Sequence, residues 1–241
     1  MRKRADIVLV ERAFFESRAK AQAAIAAGLV SVDGHIVSKA SETIEQDAEI
    51  TAQAAHPYVS RGGLKLAEAL KLFSIDVADR ACLDIGASTG GFCQVLLQNG
   101  ARRVYAVDVG HGQLHPSIAA DPRIINLEGT DARKIADDMI PEEISILVSD
   151  VSFISLKLVL PPVLRFLEKG AHIAVLIKPQ FEAGRKLVRK GVVRDTAVHE
   201  KVCDDMKQFI AGLGFHIIGL APSPITGGDG NQEFLLGARY G

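Results

Sequence analysis

Apolar positions in the first fifty residues recur with a helical spacing and then switch to alternation. Ile7, Val10 and Phe14 mark one face of a short helix predicted over residues 6–14, and Ser17 stands where an N-cap would open a second helix. After that helix, apolar residues alternate on both sides of an Asp-Gly pair, which favours a tight β-turn. The pattern predicts a small α+β domain at the front of the chain.

A different pattern starts near residue 81, where short apolar runs alternate with helical segments. The runs cover residues 82–85, 104–107, 124–125, 146–148, 174–177, 217–218 and 234–236. This alternation is typical of an α/β domain with a mostly parallel sheet, here of seven strands, and helices on both faces. Residues 51–57 have no periodicity and end in a proline, so we interpret them as a linker that divides the chain into domains 1–57 and 58–241.

Length and composition exclude several classes of protein. The 241 residues are 48% hydrophobic and 24% charged, which is ordinary for a folded globular chain. No apolar run approaches the roughly 18 residues of a membrane-spanning helix, and acids near the start leave no room for a signal-peptide apolar region. We therefore expect a cytoplasmic protein with no membrane contact. The three cysteines share no C-x-x-C spacing, which favours free thiols over disulfides or a metal site.

Charge is unevenly distributed, although the net charge is only -1. Residues 1–20 hold six Lys and Arg against three acids, and residues 178–194 hold six against one. Two basic stretches in a neutral chain suggest that a polyanion is contacted at two places, because phosphate contacts dominate nucleic-acid affinity. Ordinary solvated faces carry such charge runs as well, so this pattern alone leaves both interpretations open.

Glycine and acidic residues cluster where the first predicted strands end. Ligands of an open α/β sheet bind beyond the carboxyl ends of its strands. Residues 84–92 read Asp-Ile-Gly-Ala-Ser-Thr-Gly-Gly-Phe, and Asp108 closes the next strand 22 residues after Gly86. Glycines let such a turn approach a ligand closely, and a carboxylate after the second strand can accept hydrogen bonds from both hydroxyls of a ribose.

Two classes of cofactor site are candidates for this loop. Its glycines lack the G-x-G-x-x-G spacing of a nicotinamide site, and an acid two residues before the first glycine suits a cofactor with a cationic amino-acid end. The loop resembles the S-adenosylmethionine site of Rossmann-like methyltransferases, and the resemblance implies these contact residues: Asp84, Gly86, Ser88, Gly90, Phe92, Asp108 and Asp131. Asp131 would contact the adenine. The alternatives are that Asp131 only caps a helix and that Asp108 is a surface acid.

Four further residues carry candidate chemistry. Lys178 ends an apolar strand, where desolvation of its charge is costly, and Lys65 lies beside the apolar stripe of a predicted helix. Asp150 follows the fourth strand and Glu233 opens the last one. Together the four resemble the Lys-Asp-Lys-Glu set of FtsJ-type RNA ribose 2'-O-methyltransferases, although a lysine taken alone is usually a solvated surface residue. Our hypothesis makes Lys178 the base in its neutral form and Lys65 a neighbouring cation, while Asp150 orients Lys178 and Glu233 holds Lys65 or the ribose.

The front domain adds a second resemblance. Ser17, Arg18, Lys20 and the glycine-flanked run 28–34 resemble the small RNA-binding domain named after ribosomal small-subunit protein S-four. With the motifs above, the chain resembles the TlyA family over nearly its whole length. The resemblance implies S-adenosylmethionine-dependent methylation of a cytidine 2'-hydroxyl in 16S or 23S ribosomal RNA, with ribosomal RNA or subunits as partners. The RNA-binding candidates are Arg4, Arg18, Lys20, Arg61, Arg185, Lys186, Arg189 and Lys190.

Two other functions stay open at the level of sequence. A non-catalytic RNA-binding or ribosome-assembly factor could have the same domains, although the complete Lys-Asp-Lys-Glu set argues against it. A hemolysin label is also attached to the TlyA family, but the chain shows no spanning segment or export signal that would support a membrane-active toxin.

Overall fold

The computed structural model describes residues 2–184, 187–188, 190–227 and 230–241. Contacts within the chain separate it into two compact units, Met1–Pro57 and Tyr58–Gly241. Each unit has an apolar core of its own. The two units are therefore described one at a time.

The small unit combines two helices with short strands. Its elements are β1 (Arg2–Arg4), α1 (Ala5–Glu11), α2 (Arg18–Ala26), β2 (Val30–Val32), β3 (His35–Ile36), β4 (Thr43–Glu45) and β5 (Ile50–Ala52). Strand β1 pairs with β4, and β3, β2 and β5 form an antiparallel sheet in that order. The Ser17 hydroxyl accepts a hydrogen bond from the Lys20 backbone N–H at 3.3 Å, which caps α2 as the sequence predicts.

Helix α1 is shorter than the predicted 6–14. It ends at Glu11 because the chain turns at Ala13, where φ is +59°, a left-handed value that a helix cannot continue through. The Phe14 N–H then bonds back to the Leu9 carbonyl at 2.9 Å, and the Phe14 ring packs against the core of the unit. The apolar spacing therefore continues past the end of the helix.

The large unit alternates strands and helices. Its elements are α3 (Gly62–Leu72), β6 (Ala81–Ile85), α4 (Gly91–Gln98), β7 (Arg103–Asp108), α5 (Pro116–Ala119), β8 (Ile124–Glu128), β9 (Ile144–Ser149), α6 (Leu156–Val163), β10 (Leu167–Ile177), α7 (Pro179–Glu182), α8 (Thr196–Gly212), β11 (Phe215–Pro222) and β12 (Phe234–Tyr240). Short 3-10 turns cover Ala132–Lys134, Asp137–Met139 and Leu164–Phe166.

A seven-stranded sheet runs through the large unit in the order β11-β12-β10-β9-β6-β7-β8. The neighbouring pairs from β10 to β8 are parallel, whereas β12 is antiparallel to both of its neighbours. The predicted fold, a mostly parallel Rossmann-like sheet preceded along the chain by a small α+β domain, is confirmed. In this topology the carboxyl ends of β6, β7, β9 and β10 share one edge, and β12 begins at that same edge.

Two apolar layers cover the faces of this sheet. Leu156 and Leu160 of α6 pack on one face together with Met206 and Ile210 of α8. On the other face, helices α3 and α4 contribute a second buried cluster that includes Leu66. Both faces are thus buried, which explains why the central strands read as unbroken apolar runs rather than as alternating ones.

The remaining structural features concern membranes and metals. Every helix in the described part of the chain is too short or too polar to span a bilayer. Cys82, Cys93 and Cys203 are buried, free thiols. Among the residues that the structure describes, no group of three or more His, Cys, Asp or Glu side chains could hold a metal ion.

Candidate active site

Four charged side chains meet at the carboxyl edge of the sheet. The Lys65 ammonium lies 2.5 Å from Glu233 and 3.7 Å from Asp150, and the Lys178 ammonium lies 2.7 Å from the other oxygen of Asp150. Lys65 and Lys178 are each only 7% exposed and Glu233 only 2%. The structure therefore brings together all four residues of the predicted Lys-Asp-Lys-Glu set, which we call the tetrad.

Charge balance makes this burial possible. A buried ammonium or carboxylate without a partner costs several kcal/mol, so such groups are found paired. The tetrad holds two ammonium groups and two carboxylates, and Asp150 touches both lysines. Lys178 also donates a hydrogen bond to the Ser152 hydroxyl at 2.9 Å. Removing any one charge would leave an unbalanced one in a largely buried site.

Sheet register explains why these residues meet. Ile177 of β10 stands opposite Phe234 of β12, so Lys178 and Glu233 leave the ends of neighbouring antiparallel strands. Parallel pairing of β9 with β10 brings Asp150, which follows Ser149, beside Lys178. Lys65 arrives from the first turn of α3, which packs on the face of the sheet.

The glycine loop after β6 lies directly beside the tetrad. Gly86 and Gly90 have φ values of +86° and +91°, which favour glycine. A Cβ added to Gly86 would lie 3.1 Å from the Asp150 carbonyl group, so any side chain would push this loop away from the loop after β9. The observed close approach is to the backbone of the loop after β9, and the predicted approach to a cofactor stays a prediction.

Asp108 ties the ends of β6 and β7 together. One carboxylate oxygen accepts a hydrogen bond from the Ser88 N–H and the other from the Gly110 N–H, each at 2.8 Å. Each oxygen has a second lone pair, so the carboxylate can still accept further hydrogen bonds. It lines a cavity of about 390 Å³ together with apolar side chains such as Val107, Val109 and Val151.

Asp131 caps a turn, which is one of the two alternatives that the sequence left open, and its predicted contact with adenine stays a prediction. Its carboxylate caps the 3-10 turn through the Arg133 N–H at 3.0 Å and pairs with the Arg133 guanidinium at 2.6 Å. Hydrogen bonds from Arg133 lower the pKa of this carboxyl to about 2. The residue also lines the same cavity as Asp108, so capping does not remove it from the candidate cofactor site.

Asp84 and Phe92 are both buried. Asp84 has no exposed surface and does not line the described cavities, and its carboxylate accepts a hydrogen bond from the Cys93 thiol at 3.0 Å. Burial raises the pKa of Asp84 to about 7; the thiol hydrogen bond opposes this shift, and the nearby Asp150 carboxylate adds to it. The Phe92 side chain, 4% exposed, reaches the cavity beside the tetrad.

That second cavity, of about 570 Å³, contains the tetrad. It shares Gly86, Ser88, Asp150 and Phe153 with the Asp108 cavity, so the two spaces adjoin. A ligand in the Asp108 cavity would therefore reach toward Lys178. This arrangement can place two reactants side by side, one in each space.

Phe153 is a candidate functional residue that our sequence reasoning missed. Its side chain is 92% exposed, its φ is +66°, and its ring centroid lies 5.3 Å from that of Phe181. A bulky residue seldom adopts a left-handed backbone, and an exposed phenyl ring is costly in water. The ring lines both adjoining cavities. Its position three residues after Asp150, in a loop at a strand end, was the available signal.

The RNA-binding candidates are distributed over both units. In the small unit, Arg4 and Arg18 contact Asp6, and Lys20 pairs with Glu16 at 2.6 Å. In the large unit, Arg61 lines the tetrad cavity and Lys190 is exposed. The other three candidates, Arg185, Lys186 and Arg189, lie outside the described residues.

Solved structures place the large unit in a class. A structure described as a candidate S-adenosylmethionine-dependent methyltransferase from Listeria monocytogenes is 17% identical and matches 73% of this chain and 100% of its own, with a TM-score of 0.53. At that identity the likeness concerns the fold alone. The sheet order and this likeness define the large unit as a Rossmann-like methyltransferase fold.

Sequence comparison then gives the family. The FtsJ-like methyltransferase family matches residues 58–240, and the S4 domain matches residues 3–50. A protein from Mycobacterium tuberculosis named 16S/23S rRNA (cytidine-2'-O)-methyltransferase TlyA is 41% identical, covering 99% of this chain and 90% of its own. The chain belongs to the FtsJ-like methyltransferases with an N-terminal S4 domain, the TlyA family.

Two further relatives carry the hemolysin description. Hemolysin A from Brachyspira hyodysenteriae is 42% identical over 96% of this chain and 98% of its own. A solved structure from Streptococcus thermophilus, described as a candidate hemolysin, is 42% identical and covers 99% of this chain and 88% of its own, with a TM-score of 0.79. The resemblance to the TlyA family is thus confirmed across both units.

The buried Asp84 carboxyl predicts a measurable dependence of stability on pH. Its folded pKa of about 7 lies above the value near 3.8 of a free carboxyl, so the folded chain binds more protons between these values. Its contribution to stability therefore falls as pH rises through this window and is constant above it. Asp84→Asn removes this dependence. The unfolding free energy of the variant relative to wild type should therefore rise by roughly 2–3 kcal/mol from pH 5 to pH 8.

Urea unfolding followed by circular dichroism at both pH values measures this difference. Asp138→Asn, a change at an exposed acid, serves as the control and should keep a constant offset from wild type. Parallel pH profiles for Asp84→Asn and wild type would show that Asp84 titrates normally in the folded chain.

Proposed function

We propose that the chain transfers a methyl group from S-adenosylmethionine to the 2'-hydroxyl of a cytidine in ribosomal RNA. The observation that carries the proposal is the buried, charge-balanced tetrad next to a cavity with an acidic residue at its second strand end. Membership of the FtsJ-like family with an S4 domain supports RNA as the substrate class. The relatives named as cytidine-2'-O-methyltransferases support the cytidine.

The Asp108 cavity suits an adenosine with a charged tail. Apolar side chains such as Val109 and Val151 offer faces for a base, while Asp108 offers carboxylate lone pairs for ribose hydroxyls. Gly86 lines this cavity, and both Gly86 and Gly90 have the positive φ that shapes the turn around it. We assign cofactor contacts to these residues, to Ser88 by its position at the cavity rim, and to Asp131.

Asp84 and Phe92 support the glycine loop from the buried side. Asp84 supports the first turn of α4 through Cys93, and Phe92 forms part of the wall between that helix and the tetrad. We therefore interpret Asp84 as a residue that positions the glycine loop rather than as one that touches the cofactor.

The tetrad supplies the proton chemistry. When bound, S-adenosylmethionine supplies a methyl group on a sulfonium, whose transfer leaves a neutral thioether. Lys178 first releases its own ammonium proton to solvent; the resulting amine then accepts the proton of the ribose hydroxyl, and Asp150 at 2.7 Å stabilises the ammonium that re-forms. The Lys65 side chain, held by Glu233 at 2.5 Å, stabilises the oxygen that loses the proton.

Phe153 offers a surface for the target base. A cytidine in folded RNA must leave its stack before its ribose can enter a buried site, and aromatic side chains commonly receive such bases. The exposed ring lies at the mouth of the tetrad cavity with Phe181 beside it. Arg61 at the same cavity can contact the adjacent phosphate.

The decisive experiment concerns Lys178. Ribose methylation is mapped on ribosomal RNA from cells that lack the gene and are supplied with wild type or with Lys178→Met. We expect a methylated cytidine with wild type and little or none with the variant. The methyl-transfer rate of the purified variant should fall about 10²–10⁴-fold, because a general base contributes that much. Lys157→Met, at an exposed position on α6, is the matched control and should stay active.

Lys178→Met leaves Asp150 with Lys65 as its cationic partner, so circular dichroism and cofactor affinity must be checked alongside the rate. A folded variant that binds S-adenosylmethionine and methylates at the wild-type rate would remove Lys178 from the reaction. Absence of any ribose methylation difference between cells with and without the wild-type gene would overturn the proposed function itself.

The cofactor assignment makes a separate prediction. Asp108→Ala removes a charged acceptor for the ribose hydroxyls and also frees the Ser88 and Gly110 N–H groups. Loss of a charge-assisted hydrogen bond costs about 1.5–3 kcal/mol, so S-adenosylmethionine binding should weaken at least about tenfold in calorimetry. Asp138→Ala should leave it unchanged. An equal affinity for Asp108→Ala and wild type would contradict the assignment, and binding of NAD instead would support an oxidoreductase.

The separation into two units predicts that cofactor binding and RNA binding can be separated experimentally. The large unit contains the whole tetrad and both adjoining cavities. A chain beginning at residue 58 should therefore bind S-adenosylmethionine with the affinity of the full chain and lose most methylation of ribosomal RNA, because it lacks the S4 domain. Full methylation by this truncated chain would rule out a guiding role for the small unit.

A further inference from the structure

Asp6 is the most completely buried charge in the small unit. It lies in the first turn of α1, and its side chain has no exposed surface. Three side chains contact its carboxylate: Arg4, Arg18 and Gln22. The hydrogen bonds from Arg4, followed by those from Arg18 and Gln22, hold the pKa of Asp6 well below its usual range, so the group stays ionised.

The three partners come from different elements. Arg4 ends β1 and donates from its Nε and one terminal nitrogen to the two carboxylate oxygens, at 3.0 and 3.1 Å. Arg18 is the first residue of α2 and donates at 2.7 Å, and Gln22 donates from the next turn of α2, also at 2.7 Å. One carboxylate therefore fixes the start of α2 relative to the junction of β1 and α1.

Both arginines reach solvent although their anchor does not. The Arg4 side chain is 42% exposed and the Arg18 side chain 54%, whereas Asp6 is fully covered. A guanidinium has five N–H donors in a planar fork, and each arginine uses two of its nitrogens on Asp6. The remaining donors of two neighbouring forks are thus presented at the surface.

Charge at this cluster is not balanced. Two guanidiniums face one carboxylate, which leaves a net charge of about +1 on a rigid support. Guanidinium forks match the oxygens of a phosphate, and a fork that is already ordered loses less side-chain entropy on binding. The cluster has the chemistry of a preorganised phosphate clamp.

We propose that Asp6 is a positioning residue that holds Arg4 and Arg18 as a clamp for the phosphate backbone of the RNA substrate. The proposal rests on the proposed function, since it takes ribosomal RNA as the ligand. Asp6 does not touch the RNA and acts only through the two arginines.

The sign of one charge change tests this idea. Asp6→Asn removes a negative charge from an RNA-binding domain, so electrostatic attraction alone would make RNA binding tighter. If Asp6 positions the two arginines, RNA-binding affinity should instead fall about five- to tenfold, because the guanidinium groups lose their shared anchor. The matched control is Glu11→Gln on the same helix, which removes an exposed acid that contacts Lys3 and should leave binding equal or slightly tighter.

Affinity is measured at fixed salt with the full chain and purified ribosomal subunits from a strain that lacks the gene. S-adenosylmethionine affinity and circular dichroism report whether each variant is folded. Tighter or unchanged binding by folded Asp6→Asn overturns the proposal. Combining Asp6→Asn with Arg4→Gln and Arg18→Gln should give no further loss beyond the two arginine changes; an additional loss would show a role independent of the arginines and would also overturn it.

A second variant decides the matter if Asp6→Asn does not fold. Arg4→Lys with Arg18→Lys keeps every charge and keeps partners for Asp6, but it removes the forks. We expect a loss of affinity similar to that predicted for Asp6→Asn, and wild-type affinity would overturn the clamp. If Arg4→Gln with Arg18→Gln binds subunits normally and the enzyme still methylates them, the clamp fails while the proposed function stands. If wild type neither binds nor methylates subunits, the proposed function fails.

Discussion

The ion pairs of the Asp150 carboxylate are the interactions on which the candidate active site of the large unit depends. The carboxylate touches both lysines of the tetrad, at 3.7 and 2.7 Å, while Glu233 completes the charge balance from the other side. Two largely buried ammonium groups are tolerated only when each has such a partner. The position of Asp150 in turn depends on the pairing of β9 between β6 and β10, so the chemistry of the site is fixed by sheet register.

The glycine loop follows from the same constraint. Its backbone approaches the backbone of Asp150 so closely that Gly86 has room for no side chain, and the Gly86 N–H bonds to the Val107 carbonyl at 2.9 Å. Asp108 then joins this loop to the end of β7. The candidate cofactor cavity and the tetrad cavity thus share a wall formed by the glycine loop and the loop after β9. Proximity of this kind is what a transfer between two bound reactants requires.

Much of this could be predicted from the sequence, because its signals are local. Strand ends could be placed by apolar runs, and polar residues just beyond them, such as Lys178 and Asp150, meet at one edge in any parallel sheet. The different roles of the two acids could not be predicted: both were assigned to the cofactor, but Asp84 is fully buried under the loop whereas Asp108 lines a cavity. The exposure and left-handed backbone of Phe153 likewise arise from how the loop after β9 leaves the sheet.

The same arrangement of charged side chains occurs in both units and serves a different purpose in each. In each, a carboxylate is contacted by two cationic side chains: Asp150 by Lys65 and Lys178, and Asp6 by Arg4 and Arg18. Lysines suit the buried site because an amine can accept and release a proton, whereas a guanidinium remains charged at any accessible pH. Arginines suit a surface for the same reason, since their charge and fork geometry are permanent. A second acid, Glu233, neutralises the lysine pair, but in the described contacts of the small unit no second acid opposes the arginine pair. The excess positive charge therefore stays at the surface, where a phosphate backbone can reach it, and the balanced set stays at the site where a proton must move.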